Sequence, residues 1–171
     1  MKRRPILFVA LASATLVLGT WVGPVSPASA DAPPVTMSIS TYDAHPGDTV
    51  TITTVYTNPE AVPLTFSYMA VVPWVPTLFG NVEYTFTGCS GDVSWCAAVE
   101  DGRASAVHHT AEVAPGATRS ATFTLQIDED SPCGYAVGIA FRTYHYRESS
   151  AGAVDGFSNA IVSTGVSCGE V

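Results

Sequence analysis

From Val35 onward the apolar side chains recur at every second position, and the run of alternation is cut at short intervals by proline and glycine. Successive side chains of an extended strand point to opposite faces, so a period of two commits the chain to sheets with one buried face. Ala121-Thr122-Phe123-Thr124-Leu125-Gln126-Ile127 is the clearest case, with Phe123, Leu125 and Ile127 inward and Thr122, Thr124 and Gln126 outward. Thr49 to Tyr56 sets Val50, Ile52 and Tyr56 against Thr49, Thr51 and Thr53, and Asn58-Pro59-Glu60 ends it. A third strand is expected from Leu64 to Val72, stopped by Pro73, with Leu64, Phe66 and Tyr68 sharing a face. Tyr135, Val137, Ile139 and Phe141 form a further inward row with Gly138 opposite, and a last strand near Ser158 to Val166 turns Ala160 and Val162 inward. Weaker strands are expected over Val35 to Thr41, Val82 to Thr87, Trp95 to Glu100 and Ala104 to Val113. Pro46-Gly47, Pro59, Pro73, Pro76, Pro115-Gly116 and Pro132 fall between the runs, and no segment of helical length has a 3.6-residue period. The expectation is an all-β antiparallel sandwich of about seven to nine strands, with a small barrel as the alternative.

The first residues follow another logic. Lys2-Arg3-Arg4, an apolar stretch from Ile6 to Val22 and the small-residue site Ala28-Ser29-Ala30 make residues 1–30 a signal peptide, cleaved before Asp31. An N-terminal anchor is the rival, because Ile6 to Val22 lies near the lower length for spanning a bilayer. Pro5-Ile6-Leu7 departs from the usual continuation of a twin-arginine signal, so ordinary secretion is expected. No lipidation cysteine, second apolar segment or sorting-type motif follows, so the product is expected outside the cell without a stable membrane anchor. Residues 31–171 then form a single domain, large enough to bury roughly two-thirds of its unfolded surface.

Cleavage changes the charge. The whole chain carries seven basic and fifteen acidic residues, and three of the basic ones lie in the signal. Four arginines against fifteen acids leave a net charge of −11, and no lysine remains. Such a surface repels phosphate backbones and anionic lipid, which excludes nucleic acid as a partner.

Cys89, Cys96, Cys133 and Cys168 all follow the signal and enter an oxidising space, where two disulfides are expected. Of three connectivities the spacing favours Cys89 with Cys96 and Cys133 with Cys168. Ser90-Gly91-Asp92 would let the first pair meet across a hairpin. Loop-closure entropy assigns about 2.5 kcal/mol to the short loop and about 3.8 kcal/mol to the long one. A four-cysteine zinc site is the rival reading, and the spacing lacks its close Cys-x-x-Cys pairs.

Two stretches share one grammar. His45-Pro46-Gly47-Asp48-Thr49-Val50-Thr51-Ile52 leads toward Tyr56-Thr57-Asn58, and Ala114-Pro115-Gly116-Ala117-Thr118 leads into Ala121 to Leu125; Phe157-Ser158-Asn159-Ala160-Ile161-Val162 stands near the end. Together these resemble the Ig-like "conserved repeat" domain of unknown function found in bacterial secreted and cell-surface proteins. The resemblance spans about Val35 to Val166 and implies an Ig-like β-sandwich. Cys89 and Cys96, before the second Pro-Gly turn, resemble a local disulfide of some members. Pro73 to Gly80 replaces the Asp-x-Leu-Pro motif of that family, and one copy stands where tandem arrays are common. A lone copy needs a working surface of its own.

Catalytic chemistry finds little support. His45, His108, His109 and His145 are the candidate acid–base groups. His108 and His109 are adjacent on a strand and point to opposite faces, and His145 points away from Tyr144 and Tyr146. No Gly-x-Ser-x-Gly elbow, His-Glu-x-x-His helix or free cysteine nucleophile occurs, so no enzyme and no cofactor are expected. Asp128-Glu129-Asp130 is a weak calcium candidate against a solvated acidic turn. The candidate binding residues are Trp74, Leu78 and Phe79, in a proline-bounded segment, and Tyr144 and Tyr146, which share a strand face with Arg142. Trp95 is expected to pack on the neighbouring disulfide or the sheet. The expected function is a secreted, non-enzymatic module contacting an extracellular protein or small ligand. A small-molecule carrier is the second reading, since the acidic, two-disulfide Ig-like sandwich is similar to the enediyne apoproteins, although their second disulfide is local. A protease inhibitor, with Ser131 to Tyr135 as a braced convex loop, is the third.

Overall fold

A computed structural model describes residues 34–74 and 81–169. Ten strands follow in order: β1 (Val35–Ile39), β2 (Asp43–Ala44), β3 (Thr49–Thr57), β4 (Leu64–Pro73), β5 (Tyr84–Gly91), β6 (Val93–Val99), β7 (Ala104–His109), β8 (Thr118–Ile127), β9 (Gly138–Ser149) and β10 (Gly152–Val166). A 3-10 turn, Glu100–Gly102, links β6 to β7. Four strands form one sheet in the order β1-β3-β8-β5, and six form the other in the order β2-β10-β9-β4-β7-β6. The expected sandwich is therefore present, with one strand more than the upper count because the two-residue β2 is included.

The alternation places the core. β3 and β8 pair antiparallel from Thr49 opposite Gln126 to Thr57 opposite Thr118, which aligns Val50, Ile52, Thr54 and Tyr56 beside Ala121, Phe123, Leu125 and Ile127. All eight are buried, and they meet Met69, Val71, Val107, Ile139, Phe141 and Val162 from the facing sheet. Each large apolar side chain removed from water contributes roughly 1.5–3 kcal/mol, so this interface supplies most of the driving force.

Both Pro-Gly signals form the turns their chemistry requires. Asp48 donates its backbone N–H to the His45 carbonyl (3.0 Å), and Ala117 donates to Ala114 (2.9 Å). Gly47 and Gly116 occupy the third position with φ of +88° and +71°, the left-handed geometry of a type II turn behind proline. Asn58 then locks the far end of β3. Its buried amide donates to the carbonyls of Val62 (3.0 Å) and Val113 (2.9 Å), and its side-chain oxygen accepts from the Glu60 N–H (2.9 Å).

Three expectations are corrected. A bulge between Leu64 and Phe66 shifts β4 against β9, so Leu64 stays in the core while Phe66 and Tyr68 turn to the outer face. Ser67, Met69 and Val71 take the inward places. Tyr135 is not inward either: β9 starts only at Gly138, and Tyr135 lies wholly exposed in the preceding turn. Finally, β5 and β6 do not form a hairpin, because β5 pairs with β8 in one sheet and β6 with β7 in the other.

That last correction gives the first disulfide a different task. β5 and β6 are edges of opposite sheets, and Cys89–Cys96, with Cα atoms 6.0 Å apart, stitches the open seam between them. Cys133–Cys168, with Cα atoms 5.1 Å apart, ties the turn before β9 to the chain leaving β10. Both favoured pairings are present.

Candidate functional site

The outer face of the six-stranded sheet carries a continuous row of aromatic side chains. Alternation turns Trp95 outward on β6, His108 on β7, Phe66 and Tyr68 on β4, Tyr144 and Tyr146 on β9, and Phe157 on β10. Long-range pairing lines them up: Trp95 lies opposite His108, His108 opposite Tyr68, Tyr68 opposite Tyr146, and Tyr144 opposite Phe157. The rings touch in sequence. Trp95 and His108 have centroids 4.7 Å apart, His108 and Phe66 4.9 Å, Phe66 and Tyr146 6.0 Å, His108 and Tyr68 5.7 Å, Tyr68 and Tyr144 6.3 Å, and Tyr144 and Phe157 5.4 Å. Five strands spaced as in any sheet give the row a span of about 19 Å. Its ends are the most open, with Trp95 42% and Phe157 51% exposed.

The polar groups of this face are fixed by their neighbours. Tyr144 donates its hydroxyl to Asp155 (2.8 Å) and Tyr146 to Glu148. Those bonds hold both phenols in the protonated, donating form and push their pKa values above the ordinary tyrosine value. Tyr68 is pushed up as well, mainly by burial and further by the Glu100 carboxylate. The Arg142 guanidinium lies over the Phe157 ring at 3.7 Å, a cation–π contact. Tyr68, Tyr144, Phe157, Arg142 and Glu100 border a groove of about 380 Å³ floored by Ala70, Val72 and Pro73.

On the inward side of the same strands the histidines are held in the core or half-buried. His109 is buried under Tyr56, rings 6.0 Å apart; among the described residues neither ring nitrogen meets hydrogen-bond geometry, and the nearby Asp92 backbone only partly offsets the effect of burial. Burial pushes its pKa down, as it does for the half-buried His145. His108 and His109 do point to opposite faces, and because their strand lies one place in from the β6 edge the pleat aims His109 at the core. His45 pairs with Asp48 (3.3 Å) within the first Pro-Gly turn.

The sequence-derived candidates divide. Tyr144 and Tyr146 stand in the aromatic row. Trp74 is half-buried just past β4; its backbone N–H donates to Ala140 (2.8 Å), and it borders a separate cleft of about 280 Å³ with Ala140, Ile161 and Ser163. Leu78 and Phe79 lie outside the described residues. Asp128, Glu129 and Asp130 form a turn closed by the Ser131 N–H donating to Asp128 (3.0 Å), and among the described residues no three His, Cys, Asp or Glu converge to hold a metal. Phe66, Tyr68, Trp95, His108 and Phe157 are the residues the sequence reading left out of the site. Only the bulge in β4 and the strand order bring them into line.

Comparison with solved structures bears on the architecture. The major pilin subunit BcpA*(D312A) of Bacillus cereus superposes with a TM-score of 0.55 at 8% identity, over 80% of this chain and 40% of that one. The N-terminal domain of the Streptococcus gordonii adhesin Sgo0707 gives 0.50 at 14% identity, over 78% of this chain and 32% of that one. AvmM, which catalyses macrocyclization in alchivemycin A biosynthesis, gives 0.52 at 11% identity, over 82% and 92%. The chain is an Ig-like β-sandwich. It spans about a third to two-fifths of the adhesin and pilin chains it resembles. At these identities the likeness concerns the fold alone, and the neighbours include both surface proteins and an enzyme. No protein-family model matches the chain, and no curated protein matches it. Among the described residues no helix is long and apolar enough to cross a membrane.

Proposed function

We propose that this chain is a non-enzymatic extracellular contact module of the Ig-like "conserved repeat" kind, and that its working surface is the aromatic outer face of the six-stranded sheet. The observation that carries this is the row from Trp95 through His108, Tyr68 and Tyr144 to Phe157, which lies on the outer face across five strands. Aromatic side chains supply large contact area for little conformational entropy, which is why they dominate binding hot spots. The two disulfides and the signal-like residues 1–30 support an extracellular setting. Adhesin and pilin domains among the structural neighbours fit a contact role.

The test compares the wild-type protein with a Trp95→Ala/Tyr144→Ala/Phe157→Ala variant, each immobilised and exposed to the envelope and supernatant fractions of the producing cells. The expected result is a species retained by the wild type and lost by the variant, with an unchanged unfolding midpoint. Equal retention by both proteins would move the working surface elsewhere.

A further inference from the structure

Among the described residues Arg142 is half-buried without an acceptor, whereas Arg119 and Arg147 have theirs. Arg119 donates to the carbonyls of Thr110 (3.0 Å), Thr118 (3.0 Å) and Glu112 (2.7 Å), and Arg147 pairs with Glu60 at 3.0 Å. Arg103 is exposed, its guanidinium 5.5 Å from the Tyr84 ring. Arg142 is half-buried, its Nε is shielded from solvent, and no hydrogen bond satisfies it among the described residues. The Phe157 ring at 3.7 Å fixes the plane of the guanidinium but uses none of its N–H donors. Glu100, the carboxylate bordering the same groove, makes no ion pair with it.

We infer that the groove beside Arg142 is a binding site for a small planar organic carboxylate. This rests on the reading of the aromatic face as the working surface and names what part of it takes. The shielded Nε is out of a ligand's reach, but the two Nη groups have no acceptor among the described residues and present paired donors that match a carboxylate bidentately; the pre-set plane means little freedom is lost on binding. The body of the ligand lies over Ala70, Val72 and Pro73, beside the Tyr68 and Tyr144 rings that already pack edge to face, where aromatic edges favour a ring. A volume of about 380 Å³ is at the small-molecule scale. The choice of an anion is local, because the acidic surface of the whole chain repels anions at long range. Recognition must therefore come from contact with Arg142 itself.

Cinnamate tests this, with cinnamamide as the uncharged probe of the same shape, by isothermal titration and by amide chemical shifts of the labelled protein. The wild type is expected to bind cinnamate with shifts centred on Ala70, Tyr144 and Phe157, and cinnamamide at least about tenfold more weakly, the loss of one charge-assisted contact. Arg142→Gln should lose a similar factor for cinnamate and Arg142→Lys an intermediate one, each with an unchanged unfolding midpoint. The cinnamamide comparison needs no variant, so it stands even where a substitution disturbs folding. Equal binding of the two probes, or full affinity in Arg142→Gln, overturns the site. A peptide ending in free phenylalanine that binds far more tightly than cinnamate, while its C-terminal amide does not, would make a protein terminus the occupant and overturn the small-ligand assignment. Absence of binding by any carboxylate, with the triple aromatic variant still losing its retained species, would sink this inference and leave the contact surface standing.

Discussion

Replacing Asn58 by alanine tests how the end of β3 is locked. The side chain is fully buried and makes three hydrogen bonds, to the Val62 carbonyl, the Val113 carbonyl and the Glu60 N–H. The three are not equal. Val113 keeps a partner in the variant, because its carbonyl also accepts from the Leu64 N–H at 3.0 Å. Val62 and Glu60 sit in a half-buried loop that water reaches in part, so neither pays the full cost of an orphaned group. Taking about 1 kcal/mol net per lost bond, the expected loss is about 3 kcal/mol, read as a lower urea midpoint at unchanged slope. Asn58→Asp sharpens the test. The carboxylate keeps the contact with the Glu60 N–H but faces two carbonyl oxygens with no donor, so its folded-state pKa rises above the ordinary aspartate value near 3.9. A group raised in the folded state binds more protons there than in the unfolded chain, so this variant should regain stability as pH falls through that raised value. An alanine variant within about 0.5 kcal/mol of wild type, below the net worth of even one typical hydrogen bond, would refute the lock. So would an aspartate variant as stable as asparagine at neutral pH.

Removing the seam disulfide in a Cys89→Ser/Cys96→Ser variant should lower stability by about 2.5 kcal/mol in urea unfolding and shift Trp95 emission, since Trp95 adjoins Cys96 on the freed edge; an unchanged midpoint would contradict the stitched seam. His109 titrates below its unfolded value near 6.5, so the unfolded chain takes up a proton first and stability should fall as pH drops below about 6.5. His109→Phe should flatten that slope, leaving the part owed to His145, and a slope identical to wild type would show that His109 carries no linkage.

How much of this was legible in the sequence depends on whether the evidence was local. Phe123, Leu125 and Ile127 declare their face by alternation alone, and both Pro-Gly turns announce themselves because proline presets one torsion and glycine accepts the next. Tyr144 and Tyr146 were placed outward by the same count from Ile139 and Phe141. Phe66 and Tyr68 were misassigned because a single extra residue between Leu64 and Phe66 reverses every later side chain, and nothing in the composition there marks a bulge. Trp95 and His108 were invisible as a pair for another reason. Which strand lies beside which is a long-range fact, and β6 and β7 reach the row only through the order β9-β4-β7-β6. The disulfide partners were correct although the hairpin drawn between the first two was not, since loop closure fixes proximity without fixing which sheet each cysteine joins.

The two sheets supply an internal comparison that bears on function. Both bury one face by the same alternation, so a structural demand alone would leave their outer faces alike. They are not alike. On the four-stranded sheet the outward positions of β3 and β8 are mostly hydroxyls and an amide, Thr49, Thr51, Thr53, Ser120, Thr122, Thr124 and Gln126 around Val55, and two pairs bond across the strands, Thr53 to Thr122 at 3.3 Å and Thr49 to Gln126 at 3.0 Å. Those are the side chains that keep a solvated sheet face both strand-forming and wet. On the six-stranded sheet the equivalent positions hold rings and an acceptor-free arginine, although threonine would satisfy the backbone equally and expose less apolar surface. Exposed aromatic side chains gathered on one face, where the described outward positions of β3 and β8 hold none, are what an interaction surface requires, and stability does not require them. The same contrast locates the control for any binding experiment: substitutions in the threonine face should leave contact intact where substitutions in the aromatic face abolish it.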